Sequence, residues 1–347
     1  MILFKFLTIN SFMSTLTNTT KIDLANIGLM IFSCVISFLV PFELFLFSYA
    51  VLGPLHYLTE IGWLHKKGYF TKGKYDFIFL GLLAGLISLG ALGFFESLNG
   101  LYTNFVYVAF ISALIMVFIK DNTLKIAGIV LVIFSTIFFR RNEPFEIFFA
   151  IYLPTIIHVF LFTGFFILLG ALKHKSASGI TSLLVFIACA LSFFMLDTAH
   201  FVLSSNEYIK EGLFRFFELN RQLVNATGLG NVTDLSEKSK HFLIEARPGI
   251  VVMRFIAFAY TYHYLNWFSK TSIIQWHRIS RNVLIAIVAI WIISIALYIK
   301  SYDLGLRWLF FLSFLHVLLE FPLNFRSIVG IGQEVGSLFG IRKSPVK

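Results

Sequence analysis

The sequence predicts an all-α fold, a polytopic integral-membrane helical bundle of about nine transmembrane helices. Composition is the first observation behind this. Of 347 residues 58% are hydrophobic and 13% charged, where a soluble domain has roughly 45–50% and 25%. The second is pattern: runs of about 20 residues pass without a charge, the length a helix needs to cross a bilayer. The third is that these runs are twice a barrel strand's roughly 10 alternating residues. In lipid a helix also pairs every backbone N–H and C=O within its own segment.

Charged and Gly/Pro-rich clusters separate nine spans, at 26–52, 75–97, 102–119, 124–139, 145–172, 178–204, 249–268, 279–300 and 305–323. The spans at 102–119 and 124–139 are short and poorly separated, so the count ranges from eight to ten. The chain divides into an N-terminal tail, 1–25, a single membrane domain, 26–323, with a polar insertion at 205–247, and a basic C-terminal tail, 324–347. The first residues hold one early Lys5, but Asn10 and Ser11 interrupt the apolar run and no small-residue cleavage site follows, so they read as a retained tail.

Lysine and arginine in the short loops set the expected orientation. One side carries Lys66, Lys67, Lys72, Lys74, Lys120, Lys125, Lys173, Lys175, Lys270, Arg278 and Arg281, and then the tail with Arg326, Arg342, Lys343 and Lys347. The opposite short loops hold only Arg140, Arg141, Lys300 and Arg307. The first side is expected to be cytoplasmic, with the N-terminus outside, the C-terminus inside and a bacterial inner membrane as the location. This topology and anionic membrane lipids account for the net charge of +10, and no nucleic-acid partner is inferred. Cys34 and Cys189 both lie in apolar runs and supply neither a disulfide framework nor a thiolate metal cage.

Within the insertion, Ile209, Leu213, Phe216, Phe217 and Leu223 fall near helical spacing with Lys210, Glu211, Arg215 and Glu218 between them. That is the pattern of an interfacial amphipathic helix, either a lid or lipid-access element or a covered loop. A second short helix is expected from Asp234 as N-cap with Glu237 as its capping-box partner, ending before Pro248-Gly249.

His56, His158, His263 and His316 lie inside or at the ends of four different spans. A polar side chain in hydrocarbon needs a partner or a purpose. One such histidine is ordinarily a helix–helix hydrogen bonder; four at one depth point to a metal site. Neutral imidazole with few thiolates suits iron, copper or zinc over calcium or magnesium. Asp197 and His200, three residues apart at the outer end of the sixth span, form a separate polar pair.

His56-Tyr57-Leu58-Thr59-Glu60 and His316-Val317-Leu318-Leu319-Glu320 both set a carboxylate four residues after the histidine, on the same helix face. Glu60 and Glu320 are therefore expected to orient metal-bound imidazoles through the second ring nitrogen, unless neighbouring helices supply better partners. Should they bind metal directly, the two pairs could support a dinuclear centre. Tyr57, Tyr262 and Trp267 are candidates for the substrate pocket.

Gly53-Pro54-Leu55-His56, Ile156-Ile157-His158, Tyr262-His263 and Leu315-His316 followed by Glu320 resemble the Brp/Blh family of bacterial β-carotene-cleaving dioxygenases. The resemblance covers the order of the histidine-bearing helices over most of the chain, through short motifs. It implies a polytopic helical protein whose histidines hold a non-haem Fe(II), and cleavage of a carotenoid's central double bond by O₂ to give retinal. On that reading His56, His158 and His263 are ligands and His316 is the fourth. The chain departs from the family in having Glu60 rather than an Asp after its first histidine. It also lacks the late His-x-x-x-His, since Ala259 and Trp267 stand four residues either side of His263.

The expectation is thus an integral-membrane iron oxygenase acting on a hydrophobic polyene or related lipid. Two alternatives are a transporter or channel with a polar pathway through the histidines, Asp197, Glu43 and Arg254, and a membrane redox protein built on haem or another transition metal. Desaturase-like histidine boxes, a Gly-x-Ser-x-Gly elbow and a phosphate-binding glycine loop are all missing from the sequence.

Overall fold

Pro41 breaks the first apolar stretch in two. Proline cannot donate to the preceding turn but is well placed in a helix's first turn, so helix α1 (Asn18–Leu39) ends and α2 (Pro41–Lys66) begins at Val40, whose backbone is non-helical. Arg254 seals the break, donating to the Phe38 carbonyl at 2.9 Å and lying over the Phe38 ring. The structure, a computed structural model, describes residues 18–94, 100–139, 142–196, 207–234, 236–270, 275 and 279–340.

After the hairpin come α3 (Asp76–Ala91), α4 (Tyr102–Phe118), α5 (Asn122–Phe139), α6 (Glu143–His174) and α7 (Ala177–Met195). The insertion holds α8 (Glu207–Leu213), α9 (Phe217–Ala226) and α10 (Glu237–Glu245), and the chain finishes with α11 (Arg247–Ser269), α12 (Arg281–Lys300) and α13 (Tyr302–Leu338). With 88% helix and no strand among the described residues, the all-α class stands. Seven helices are long and apolar enough to cross a membrane, and α3 and α4 are shorter apolar helices. Helix α11 is as long as a span but carries Arg254, Asn266 and His263, because protein rather than lipid surrounds it and nearly its whole length is buried.

Side-chain contacts fix the direction of each helix. Asn26 of α1 meets Tyr262 and Ser269 of α11 while Phe38 meets Arg254, so those two helices are antiparallel. In α2, Ser48, Tyr57 and Thr59 meet Thr261, Tyr264 and Trp267 in turn, a parallel pair. Counting the hairpin as two crossings, and α3, α4 and α11 with the seven, gives ten bundle helices among the described residues, the upper end of the expected eight to ten. One end of the bundle then gathers the start of α1, where Asp23 accepts from Ser176 and Ser178, the Asp76–Lys125 ion pair at 2.7 Å, and Lys270. Asn18 and the end of α13 lie at the same, lysine-rich end, and the termini themselves, expected on opposite sides, lie outside the described residues. The helices run past the expected tail boundaries: α1 begins at Asn18, and α13 continues to Leu338 through the stretch assigned to a basic tail.

The insertion packs onto the other end of the bundle. Leu213, Phe217 and Leu223 are buried there, as their spacing predicts. Gly249 admits close contact between α10 and α11, for a Cβ on it would sit 1.9 Å from the Leu243 carbonyl oxygen. Ser236, not Asp234, caps α10, and Asp234 instead accepts from the Ser236 N–H and the Ser236 and Ser239 hydroxyls. Helices α2, α6, α11 and α13, which carry the four histidines, pack on one another in the middle.

Candidate metal centre

The backbone is irregular where it delivers the histidines. Residues Ser48–Leu52 of α2 and Ile147–Phe162 of α6 are wound as π-helix, a widened form found most often at functional sites. Pro154 supplies no N–H to the α6 ladder, and the Ala150 carbonyl one turn earlier accepts from the Tyr102 hydroxyl at 3.3 Å. Gly53 lets the paired hydroxyls of Tyr57 and Tyr264 (2.9 Å apart) come up against the α2 backbone: a Cβ there would lie 2.9 Å from the Tyr57 oxygen.

His56 and Glu60 from α2, His158 from α6, His263 from α11, and His316 and Glu320 from α13 converge, each between 1% and 6% exposed. Nε2 of His56 lies 3.1 Å from Nε2 of His263 and 3.0 Å from Oε2 of Glu60. Oε2 of Glu320 lies 3.2 Å from Nδ1 of His158. Ligand atoms of His56, Glu60 and His316 all fall within 4.8 Å of one another. The imidazole rings close a loop, with centroids 4.8 Å apart for His56–His263, 5.1 Å for His263–His158, 5.2 Å for His158–His316 and 5.5 Å for His316–His56.

This cluster is poorly satisfied by protein alone. Nε2 of His158 and Nδ1 of His56 and His316 have no hydrogen-bond partner; Nδ1 of His158 stands at ion-pair distance from Oε2 of Glu320, and Oε2 of Glu60 from Nε2 of His56, without hydrogen-bond geometry. A buried polar group left without a partner costs about 1–3 kcal/mol, and three bare imidazole nitrogens beside two buried carboxylates call for a ligand. A transition metal fits: two nitrogens each about 2.1 Å from one ion stand roughly 3.0–3.4 Å apart at 90–109°. The His56–His263 nitrogen pair is at that spacing. The donor set, imidazole with carboxylate, suits iron, copper or zinc. His263 is oriented through its other nitrogen, Nδ1, which lies 2.8 Å from Oγ1 of Thr163.

Two cavities border the cluster, one on its His158–His316 side and one on its His56–His263 side, with no lining residue in common. One, of about 270 Å³, is lined by His158, His316, Tyr57, Tyr264, Phe310 and Phe314 and roofed by Phe216 and Leu219 of the insertion. The other, of about 360 Å³, is lined by His56, His263, Glu60, Glu320 and Trp267 and runs toward Lys173 and Lys270 at the lysine-rich end.

The four expected histidines are thus brought together, with His56 inside its helix rather than beyond the end of one. Glu60 meets His56, but at Nε2, the nitrogen that also faces His263, rather than at the second ring nitrogen, and Glu320 reaches across to His158 instead of back to His316, whose face is covered by the stacked Tyr57 ring at 4.1 Å. Tyr57 and Trp267 line cavities, Trp267 donating to Thr59 Oγ1. Tyr262 does not: it packs against Phe186 and Phe258 and donates to Asn26, because one residue along a helix from His263 turns it about 100° away from the cluster. Asp197 and His200 lie outside the described residues. Thr163, Tyr264 and Tyr260 were missed by sequence reasoning, although the run Tyr260-Thr261-Tyr262-His263-Tyr264 is an unusual density of hydroxyls for a membrane helix. Compared with known proteins, the chain matches no family model, no curated protein and no solved structure.

Proposed function

We propose that the chain is an integral-membrane non-haem iron oxygenase that cleaves a long hydrophobic polyene such as β-carotene. One observation carries the reading: four histidines and two glutamates, with three bare imidazole nitrogens among them, sit buried between two cavities. The resemblance to carotenoid-cleaving dioxygenases adds the substrate class. The edge-packed imidazoles leave no slot for a porphyrin between them, which favours a bare ion over haem.

His56, His158, His263 and His316 would hold the iron, with Glu60 and Glu320 either oriented on imidazoles or bound directly. Bound iron supplies the activation of dioxygen beside a carbon–carbon double bond. The protein's own part is positioning. A polyene reaching from the bilayer would lay one arm among the tyrosines and phenylalanines of the first cavity and the other beside Trp267 in the second, leaving its central double bond against the cluster. Burial excludes bulk water, and Thr163 holds the His263 ring. Cleavage consumes one O₂, breaks one C=C and gives two carbonyl compounds, so the balance needs no further reductant.

The test is metal analysis of protein purified without chelators, followed by incubation with β-carotene in air and chromatography for retinal. Iron at one or two equivalents, retinal formation, and loss of both in His158→Ala are expected. Protein that retains no transition metal with its histidines intact, or retinal formation undiminished in His158→Ala, would refute the assignment.

A further inference from the structure

Cleaving a double bond in a two-armed site leaves one product in each cavity, and the two cavities differ in chemistry. The first is walled by aromatic rings and hydroxyls. The second leads from the histidines to Lys270, seven residues or about 10 Å along α11 from His263. Lys270 caps the helix, and side chains there lean back toward the preceding turn, in this case toward the site. Its ammonium forms no ion pair or hydrogen bond among the described residues. Lys173, the other lysine on this cavity, is exposed at its mouth, whereas Lys270 is partly buried.

We infer that Lys270 is an aldehyde-binding residue, which captures the polyene aldehyde left in the second cavity as a Schiff base. This rests on the oxygenase reading for the origin of the aldehyde, but not for the reactivity of the lysine. The step is a condensation: the neutral amine adds to the carbonyl carbon, the C–N double bond forms as the C–O bond breaks, and the oxygen leaves as water. No oxidant or reductant is consumed.

Two features of the cavity support it. Trp63, Trp267 and Leu323 give an apolar wall for a polyene chain, and the lysine stands at the far end of that wall from the histidines. Burial also lowers the Lys270 ammonium to about 8, against the opposing pull of the Asp23 carboxylate. At pH 8 such an amine is neutral in about half of molecules, where an ordinary lysine of pKa about 10.4 is neutral in roughly one in 250. Desolvated lysines are the ones that serve as Schiff-base nucleophiles.

The experiment supplies the aldehyde directly. Purified full-length protein in detergent is mixed with retinal at pH 8, reduced with borohydride and digested, and the reduced adduct is located by mass spectrometry. Labelling of Lys270 about a hundredfold above that of the average lysine, following the neutral-amine fractions above, is expected. In Lys270→Arg the adduct should vanish without moving to Lys173. Adduct spread evenly over the lysines, concentrated on Lys173, or absent overturns the inference. Because mapping on the unaltered protein carries the result, a poorly folding variant does not blunt it. Cleavage of β-carotene is assayed separately, so a chain that cleaves but does not label refutes the lysine's role alone, and one that labels but does not cleave refutes only the oxygenase reading.

Discussion

Replacing Thr163 with valine removes one hydroxyl from the centre at nearly constant volume. Thr163 follows the π-wound stretch of α6, and its Oγ1 lies 2.8 Å from Nδ1 of His263. For Nε2 of His263 to offer a lone pair toward His56, the proton must sit on Nδ1, which then donates to Oγ1. In the variant that N–H is left buried without a partner, at a cost of about 1–3 kcal/mol. Part of the cost falls equally on the metal-free protein and cancels from the affinity. What remains is the strengthening of the bond when the ring is polarised by a cation, and loss of such outer partners typically weakens metal binding 10–100-fold, or about 1.4–2.7 kcal/mol. Competition against a graded series of chelators measures it. Thr163→Val should release metal at correspondingly weaker chelator strength, while Thr163→Ser, which keeps the hydroxyl, should behave as the parent. Unchanged affinity in the valine variant, with an unchanged thermal midpoint, would refute the claim that this hydroxyl sets the His263 tautomer.

Two further outcomes follow from the packing outside the centre. Lys125 and Asp76 form an ion pair with side chains only 5% and 9% exposed, so Lys125→Met strands a carboxylate and should cost about 3–5 kcal/mol. Thermal unfolding in detergent reads this, and adding Asp76→Asn should restore most of the loss. In the insertion, hydrogen bonding to Arg221 holds the Glu218 carboxyl below the usual carboxylate range. A carboxylate whose pKa is depressed by folding stabilises the fold above its unfolded value of about 4.3 and loses that contribution as pH falls through the folded value. Amide exchange across α9 should therefore accelerate on acidification below about pH 4, and Glu218→Gln should make it insensitive to pH in that window.

What the sequence made legible, and what it did not, divides along a physical line. The bundle and its four histidines were readable because hydrocarbon tolerates neither charge nor an idle imidazole, and both constraints act on single residues. The α1–α2 hairpin was not, because span boundaries were drawn from charges and the turn contains none. Its signal was Pro41 in the middle of a stretch too long for one crossing, 49 residues from Asn18 to Lys66. Adding that crossing moves His56 from beyond a helix end to the interior of α2 and carries Asn18 to the lysine-rich end. Errors about partners have a different origin. The i+4 rule correctly joined His56 to Glu60, but it cannot know that the Tyr57 ring occupies the face of His316, leaving Glu320 to turn to His158 on another helix. Tyr262 fails for a related reason: adjacency in sequence to His263 rotates it about 100° around the helix, into the contact with α1 and α7. The same geometry explains why Lys270 escaped notice. It stands among the loop cations that set orientation, and only the fold shows that a cavity joins it to His263 seven residues back. A residue counted for its charge in one constraint can thus sit at the end of a channel in another, which is why labelling of Lys270, rather than its loop position, decides its role.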